Sequence, residues 1–117
     1  MKVITICGSL KFQNEMLRIA RKMTLEGNVV ITPIFPVDKN YSVTPSEKEM
    51  FARVHREKIK LADAILVVDA NKYIGESTKS EIEFAKSLNK EILYYSDLEN
   101  FKNLISSIIS KRVNIFK

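Results

Sequence analysis

Apolar residues recur along the chain with two different periods, and the two periods alternate from the first residues onward. Short runs rich in branched side chains, at residues 3–7, 29–32, 64–68 and 91–95, predict four buried strands. Between and after these runs, apolar residues at helical spacing predict four amphipathic helices. This alternation implies a parallel sheet with helices on both faces. We therefore predict an α/β fold, a flavodoxin- or Rossmann-like three-layer sandwich with a four- to five-stranded parallel sheet, residues 113–116 being the candidate fifth strand.

Capping residues set the predicted ends of the helices. Gly27 follows the first helical stripe, where a left-handed residue commonly ends a helix. The segment Ser46-Glu47-Lys48-Glu49 has the spacing of a capping box, which predicts that the second helix begins there. Thr78 and Glu81 have the same spacing at the start of the third helix, and Asp97 is the predicted cap of the fourth.

Length and composition limit the class of protein. A chain of 117 residues has room for one core, so residues 1–117 are predicted to form a single domain. No apolar run approaches the roughly 18 residues that span a bilayer, and the first apolar run reads as a strand rather than a signal peptide. The single cysteine allows no intrachain disulfide. These features predict a cytoplasmic protein without a membrane partner.

The chain is basic, with a formal net charge of +5 and a pI of about 9.4. Its lysine and arginine residues are spread over the whole sequence, and no dense basic run is interleaved with aromatic residues. A solvated, lysine-rich surface explains most of this charge. We therefore expect a small anionic ligand rather than nucleic acid as the partner.

Ligands of parallel α/β sheets bind beyond the carboxyl ends of the strands, which here selects the loops at residues 8–11, 33–45 and 69–78. The middle loop is long for a compact domain, and such loops are often functional. In the first loop, Gly8 permits a close backbone approach and Ser9 adds a hydroxyl at a predicted helix start, which would suit a phosphate or a sugar. The simpler interpretation, in which Gly8 makes the turn and Ser9 caps the helix, is favoured by the local pattern alone.

Glu81 has two interpretations. As the partner of Thr78 in a capping box it would only stabilise the helix start, and local pattern favours this role. Alternatively, its carboxylate points into the cleft as a nucleophile, which the helix N-terminus would keep ionised. Ser77 and Thr78 would then bind a ligand phosphate or hydroxyl at the same helix start.

The remaining candidates for chemistry are isolated in the sequence. His55 is the only histidine, and a lone histidine beside an apolar stripe is more often structural than catalytic. Cys7 ends a buried strand and is expected to be inert. One histidine and one cysteine offer no recognisable ligand cluster, so neither a metal nor a cofactor is expected.

Three segments resemble the nucleoside 2-deoxyribosyltransferase superfamily, which includes the 2'-deoxynucleoside 5'-phosphate N-hydrolases. Cys7-Gly8-Ser9-Leu10 is similar to the turn after the first strand of the N-hydrolases. Residues 62–68 are similar to the Ala-Asp segment that precedes a strand in the family, and residues 77–85 to its Gly-Thr-x-x-Glu-x-Gly-x-Ala segment. With matching spacing, the likeness covers most of the chain and is nearest to small bacterial and phage members.

The resemblance implies that Glu81 is the nucleophile that attacks the anomeric carbon of a nucleoside or nucleotide, so that the base leaves and a glycosyl-enzyme ester forms. It places His55 where the family has an aspartate, and Glu83 where the family has a glycine. His55 and Asp69, at the end of the third strand, are the candidate proton or hydroxyl partners of Glu81.

The substrate-binding set that the resemblance implies is assigned to Cys7, Gly8, Ser9, Gly75, Ser77 and Thr78. It also implies a homodimer or a higher homo-oligomer. The expected function is cleavage or exchange of an N-glycosidic bond in a (deoxy)nucleoside or nucleoside 5'-monophosphate, without a cofactor. The alternative is a non-catalytic nucleotide-binding module that uses the same pocket. A flavodoxin-like signalling domain of the receiver type is disfavoured, because no acidic pair follows the first strand.

Overall fold

A parallel sheet of four strands forms the centre of the computed structural model, which describes residues 1–38, 40 and 42–100. The strands lie in the order β2-β1-β3-β4, and each neighbouring pair is parallel. Their bounds are β1 Val3–Gly8, β2 Val29–Ile31, β3 Ala64–Val68 and β4 Glu91–Tyr94. The chain moves from β1 outward to β2, and then returns past β1 to β3. The strand order therefore reverses between β1 and β3, the place where such folds bind ligands.

Helices connect the strands and cover both faces of the sheet, which confirms the predicted three-layer α/β fold. They are α1 Gln13–Leu25, α2 Pro45–Leu61 and α3 Glu76–Ser87, and residues 95–100 are also helical. Short 3-10 turns at Leu10–Phe12 and Ala70–Lys72 follow β1 and β3. Within the described ranges, no helix combines the length and the apolar character needed to cross a membrane.

Each central strand sends alternate side chains into two separate cores. Ile4 and Ile6 of β1 pack on the side of α1, together with Met16 and other apolar residues. Cys7 points to the opposite side, where Ile59 of α2 and residues of α3 pack against the sheet. The period of two along a strand fixes this division, because successive side chains must leave from opposite faces.

The ends of α1 and α2 show which predicted caps form. Asn28 donates its N–H to the Met23 carbonyl and Gly27 adopts a φ of +92°, so the predicted glycine cap is confirmed as a Schellman motif. The predicted box at residues 46–49 is wrong. Thr44 caps α2 and pairs reciprocally with Glu47, because a proline, Pro45, is preferred at the first helical position and moves the cap two residues earlier.

The starts of the last two helices also differ from the prediction. α3 begins one residue earlier than expected, at Glu76, with Gly75 as an N-cap that makes no side-chain bond. The helical segment after β4 already begins at residue 95, so Asp97 lies inside it and is not its cap. The inward-facing residues predicted at 101–108 and the candidate fifth strand at 113–116 lie outside the described residues.

Polar contacts join the strands at the amino-terminal edge of the sheet. Asp63, in the Ala-Asp segment that carries part of the family resemblance, accepts a 2.8 Å hydrogen bond from the Val3 N–H. Lys2 forms a 2.8 Å ion pair with Glu91 at the same edge. Asp63 therefore has a structural role, at the opposite end of the strands from the loops predicted to bind a ligand.

Candidate functional site

Three side chains that are far apart in the sequence meet near the carboxyl ends of β1 and β3. Cys7 comes from β1, His55 from α2 and Glu81 from α3. The Cys7 Sγ lies 3.4 Å from His55 Nε2, and that nitrogen lies 3.8 Å from Glu81 Oε2. The sulfur, nitrogen and carboxylate oxygen are all within 4.8 Å of one another. We call these three residues the Cys-His-Glu cluster.

Helical spacing explains why His55 and Glu81 point inward. His55 is one turn before Ile59, a fully buried residue of the same core. Glu81 lies three residues after Thr78 and four before Ala85, both of which are buried. Each polar residue therefore lies on the apolar face of its helix.

The position of Glu81 excludes the predicted role of a helix cap. Its carboxylate approaches His55, and it makes no side-chain capping bond at the start of α3. Thr78, its predicted capping partner, is buried rather than placed at the N-cap. The capping-box interpretation of Thr78 and Glu81 is therefore wrong, because α3 starts earlier and places both residues inside its first two turns.

Burial controls the ionisation of the Cys-His-Glu cluster. Desolvation raises the pKa of Glu81 to about 7, although a hydrogen bond from Cys7 and the nearby Arg56 charge both act to lower it. Burial first, and then the Lys58 charge, lower the pKa of His55 to about 4. Burial and Glu81 raise the pKa of the Cys7 thiol well above its usual value. The helix N-terminus was expected to keep Glu81 ionised, but burial outweighs that effect.

At neutral pH, the cluster therefore contains a neutral imidazole, a protonated thiol and a carboxyl group close to its titration midpoint. A carboxyl that titrates near neutrality can act as a nucleophile in one form and as an acid in the other. His55 is uncharged, so it contributes hydrogen bonding rather than a permanent positive charge. Only 22% of the Glu81 side chain is exposed, and this is the route by which solvent reaches the cluster.

Two cationic residues that were not selected from the sequence lie beside the cluster. Arg56, next to His55 on α2, approaches the Ser80 hydroxyl at 3.4 Å and lies over the Phe84 ring of α3. Lys58 donates a 2.9 Å hydrogen bond to the Thr32 carbonyl at the start of the long loop. Helical spacing does not indicate Arg56, because it directly follows His55; its contacts with α3 depend on the two helices being neighbours.

Gly8 is required by close packing at the end of β1. A Cβ at this position would lie 2.8 Å from the terminal carbon of Met16 and 3.1 Å from the Val68 carbonyl oxygen. Ser9 caps the following 3-10 turn by accepting the Lys11 N–H at 3.4 Å. The start of α1 is therefore not at Ser9, as predicted, but at Gln13.

The loop after β3 folds back over the loop after β1. The Tyr73 ring packs edge-on against Phe12 at 6.0 Å, and the Lys11 ammonium lies 3.3 Å from the centre of the Tyr73 ring. The tyrosine also approaches Gly75, where an added Cβ would be 3.5 Å from its hydroxyl oxygen. Neither Lys11 nor Tyr73 was selected from the sequence as a site residue, because loop contacts of this kind have no periodic signal.

The other predicted site residues have different environments. Asp69, a predicted partner of Glu81, is buried and accepts hydrogen bonds from both the Ser96 N–H at 2.8 Å and the Ser96 hydroxyl at 2.7 Å. It joins the end of β3 to the helical segment after β4 and is not part of the Cys-His-Glu cluster. Ser77 is exposed on the first turn of α3. Glu83 is also exposed and pairs with Lys86 at 3.5 Å, so it points away from the cluster.

The fold places three potential metal ligands together that are far apart in the sequence. The sequence separates its one cysteine from its one histidine by 48 positions, but the fold brings both to a carboxylate. Together they present one sulfur, one nitrogen and one oxygen donor. The donor set of a metal site is thus present, although no local spacing indicated it.

A comparison with protein-family models found no match for this chain, and a comparison with curated proteins found no significant similarity. The resemblance to the nucleoside 2-deoxyribosyltransferase superfamily therefore stays a prediction. What the structure defines is the class, an α/β domain with a buried cysteine, a buried histidine and a partly buried glutamate at the reversal point of its parallel sheet.

Proposed function

We propose that this protein cleaves or exchanges the N-glycosidic bond of a (deoxy)nucleoside or nucleoside 5'-monophosphate, with Glu81 as the nucleophile. The observation that carries the proposal is the position of Glu81, which turns into the Cys-His-Glu cluster instead of capping α3. A partly exposed carboxyl with a pKa of about 7, at the reversal point of a parallel sheet, is a typical catalytic group.

In the proposed reaction, an ionised Glu81 oxygen forms a bond to the anomeric carbon while the bond from that carbon to the base nitrogen breaks. The electron pair leaves with the base, and the sugar becomes an ester of Glu81. Water, or a second base, then attacks the same carbon and releases the carboxylate, which gives overall retention. His55 acts as a positioning residue, because its Nε2 lies 3.8 Å from the Glu81 carboxylate.

The charge around the cluster supports an anionic form of the substrate. Arg56 acts on Glu81 electrostatically, and Lys11 lies in the loop that follows β1. With a net charge of +5, the chain favours a phosphorylated small molecule over a neutral one. Nucleoside 5'-monophosphates therefore belong in the substrate panel, and we expect the activity in the cytoplasm and in a homo-oligomer.

The proposal is tested by incubating the purified protein with nucleosides and 5'-monophosphates and measuring free base. The assay should contain a metal chelator and run at about pH 8, above the Glu81 pKa of about 7. We expect base release that Glu81→Gln lowers roughly 10³-fold or more, because a neutral amide cannot form the ester. Glu83→Gln is the matched control on the same helix and should keep the wild-type rate, because its side chain is 75% exposed.

The alternative is a nucleotide-binding module, and one observation favours it. Cys7 and His55 are almost fully buried, so most of the cluster faces the protein interior rather than a substrate. The module predicts saturable nucleotide binding without base release, and binding that Glu81→Gln leaves unchanged. That outcome would reject the enzymatic proposal.

A further inference from the structure

We propose that Cys7, His55 and Glu81 bind a zinc ion, with one protein ligand each from β1, α2 and α3. The proposal stands on the convergence of a sulfur, a nitrogen and an oxygen donor within 4.8 Å of one another. It does not depend on the proposed N-glycosidic activity.

Two of the three distances within the cluster are close to those of a tetrahedral site. Zinc binds a thiolate sulfur at about 2.3 Å and an imidazole nitrogen at about 2.0–2.1 Å, so neighbouring donors of a tetrahedron lie roughly 3.5 Å apart. Here Cys7 Sγ and His55 Nε2 are 3.4 Å apart, and His55 Nε2 and Glu81 Oε2 are 3.8 Å apart. The third pair, the Cys7 sulfur and the Glu81 oxygen, lies within 4.8 Å, so side-chain movement of about 1 Å would complete the three-ligand geometry.

The chemistry of the donors selects the ion. Magnesium and calcium prefer oxygen ligands, so a thiolate and an imidazole disfavour both. A thiolate, a neutral imidazole and a carboxylate suit zinc. Binding releases the thiol proton of Cys7, and the two negative charges of Cys7 and Glu81 then balance the two positive charges of zinc. A neutral assembly is what a buried position requires, because an uncompensated charge there is costly.

Access to the site comes from the side of Glu81. The Cys7 side chain is fully buried, but 22% of the Glu81 side chain is exposed. An ion bound by the three side chains would have its fourth position on this exposed side, where water completes the tetrahedron. Three protein ligands with one open position are the pattern of catalytic and exchangeable zinc sites rather than of closed structural ones.

Zinc binding and the proposed nucleophilic role of Glu81 exclude each other at one moment, because both use the same carboxylate. A bound ion would therefore inhibit base release, and removal of the ion by a chelator would restore it. This consequence rests on the proposed function, whereas the metal site itself is tested by spectroscopy without any substrate.

The test uses cobalt(II) as a spectroscopic substitute for zinc and the fact that the chain has one cysteine and one histidine. A thiolate-to-cobalt charge-transfer band can then arise only from Cys7. We expect wild type and Glu83→Gln to show this band together with the intense visible bands of a tetrahedral site, saturating at one ion per chain. One equivalent of zinc should abolish both sets of bands.

Variants of the ligands complete the experiment. Cys7→Ser should lack the charge-transfer band, and His55→Gln and Glu81→Gln should bind cobalt at least tenfold more weakly than Glu83→Gln. Far-ultraviolet circular dichroism establishes that each variant is folded. Because Cys7→Ser alters the core, a second measurement keeps Cys7 in every protein. Zinc should raise the melting temperature of wild type and of Glu83→Gln, but not that of His55→Gln.

Absence of the charge-transfer band in folded wild-type protein would overturn the metal site, and so would a band with undiminished affinity in Glu81→Gln. Neither result bears on base release, which is measured separately in chelator. If the wild-type protein shows the cobalt spectrum but releases no base, only the enzymatic proposal is rejected.

Discussion

The two faces of the sheet are built by the same strands, yet they bury different kinds of side chain. The face toward α1 is an apolar core, to which β1 contributes Ile4 and Ile6. The face toward α2 and α3 also has an apolar centre, but it adds the buried polar residues Thr5, His55 and Thr78, and the partly buried Glu81. One face thus holds the sheet together by packing, and the other combines packing with groups that can react or bind an ion.

The titratable groups on the face toward α2 and α3 reduce the stability of the fold, which indicates that they have a function. Burial lowers the pKa of His55 and raises the pKa of Glu81, so that the neutral form of each is favoured. Burying these groups lowers the stability of the fold, a penalty that apolar residues would avoid. The buried hydroxyl of Thr5 has a hydrogen-bond partner, because it donates a 2.8 Å hydrogen bond to the Lys58 carbonyl. The Cys-His-Glu cluster retains titratable groups, and for this reason we assign function to the face covered by α2 and α3.

The largest expected effect comes from removing an apolar side chain on the α1 face. Ile6→Ala should lower the free energy of unfolding by about 2–5 kcal/mol, because a fully buried isoleucine leaves a cavity. Urea unfolding measures the loss, and the exposed Val37→Ala should change stability by less than about 0.5 kcal/mol. If Ile6→Ala also lost less than about 1 kcal/mol, the α1 face would not be the closely packed one.

A smaller effect, which depends on pH, is expected on the other face. The folded-state pKa of Glu81, about 7, is above its unfolded value of 4.5, so its protonated form stabilises the fold below about pH 4.5 and this contribution is lost as the pH rises through 7. Glu81→Gln removes that loss. Relative to wild type, the variant should therefore gain about 2–3 kcal/mol between about pH 4.5 and pH 8.

This comparison is made by urea unfolding of both proteins in chelator across that pH range. His55 titrates in the opposite sense, because its folded-state pKa of about 4 is below the usual 6.5, so its contribution is present above pH 6.5 and is lost as the pH falls through 4. Both proteins contain His55, so its contribution cancels in the difference. If the free energies of unfolding of wild type and Glu81→Gln changed with pH in parallel, Glu81 would not be effectively desolvated.

The smallest effect separates Asp69 from the cluster. Asp69→Asn weakens the charge-assisted hydrogen bonds to Ser96 and should lower the free energy of unfolding by about 1 kcal/mol. A double-mutant cycle with Ser96→Ala should show coupling of similar size, measured by urea unfolding. Base release and the cobalt spectrum should both persist. Loss of base release without loss of stability would instead restore the catalytic role predicted for Asp69.

The type of each element was predictable, because strands and helices differ in the spacing of their apolar residues. The continuous apolar run of β3 and the helical stripe of α1 both correspond to elements in the structure. Element ends were less predictable, since several residues compete to cap one helix. Pro45 decided that competition in favour of Thr44, and Gly75 replaced Thr78 at the start of α3. Such choices depend on backbone geometry that a list of capping residues does not contain.

The sequence by itself determined the layers of this protein, the alternation of strands and helices, and the candidate status of Glu81. Only the tertiary structure decided that Cys7, His55 and Glu81 lie together and that Asp69 pairs with Ser96. The reason is that the Cys-His-Glu cluster depends on the strand order β2-β1-β3-β4, which places α2 and α3 on one face beside β1. Hydrophobic periodicity fixes which face of an element is buried, but the element that it meets is decided by long-range packing.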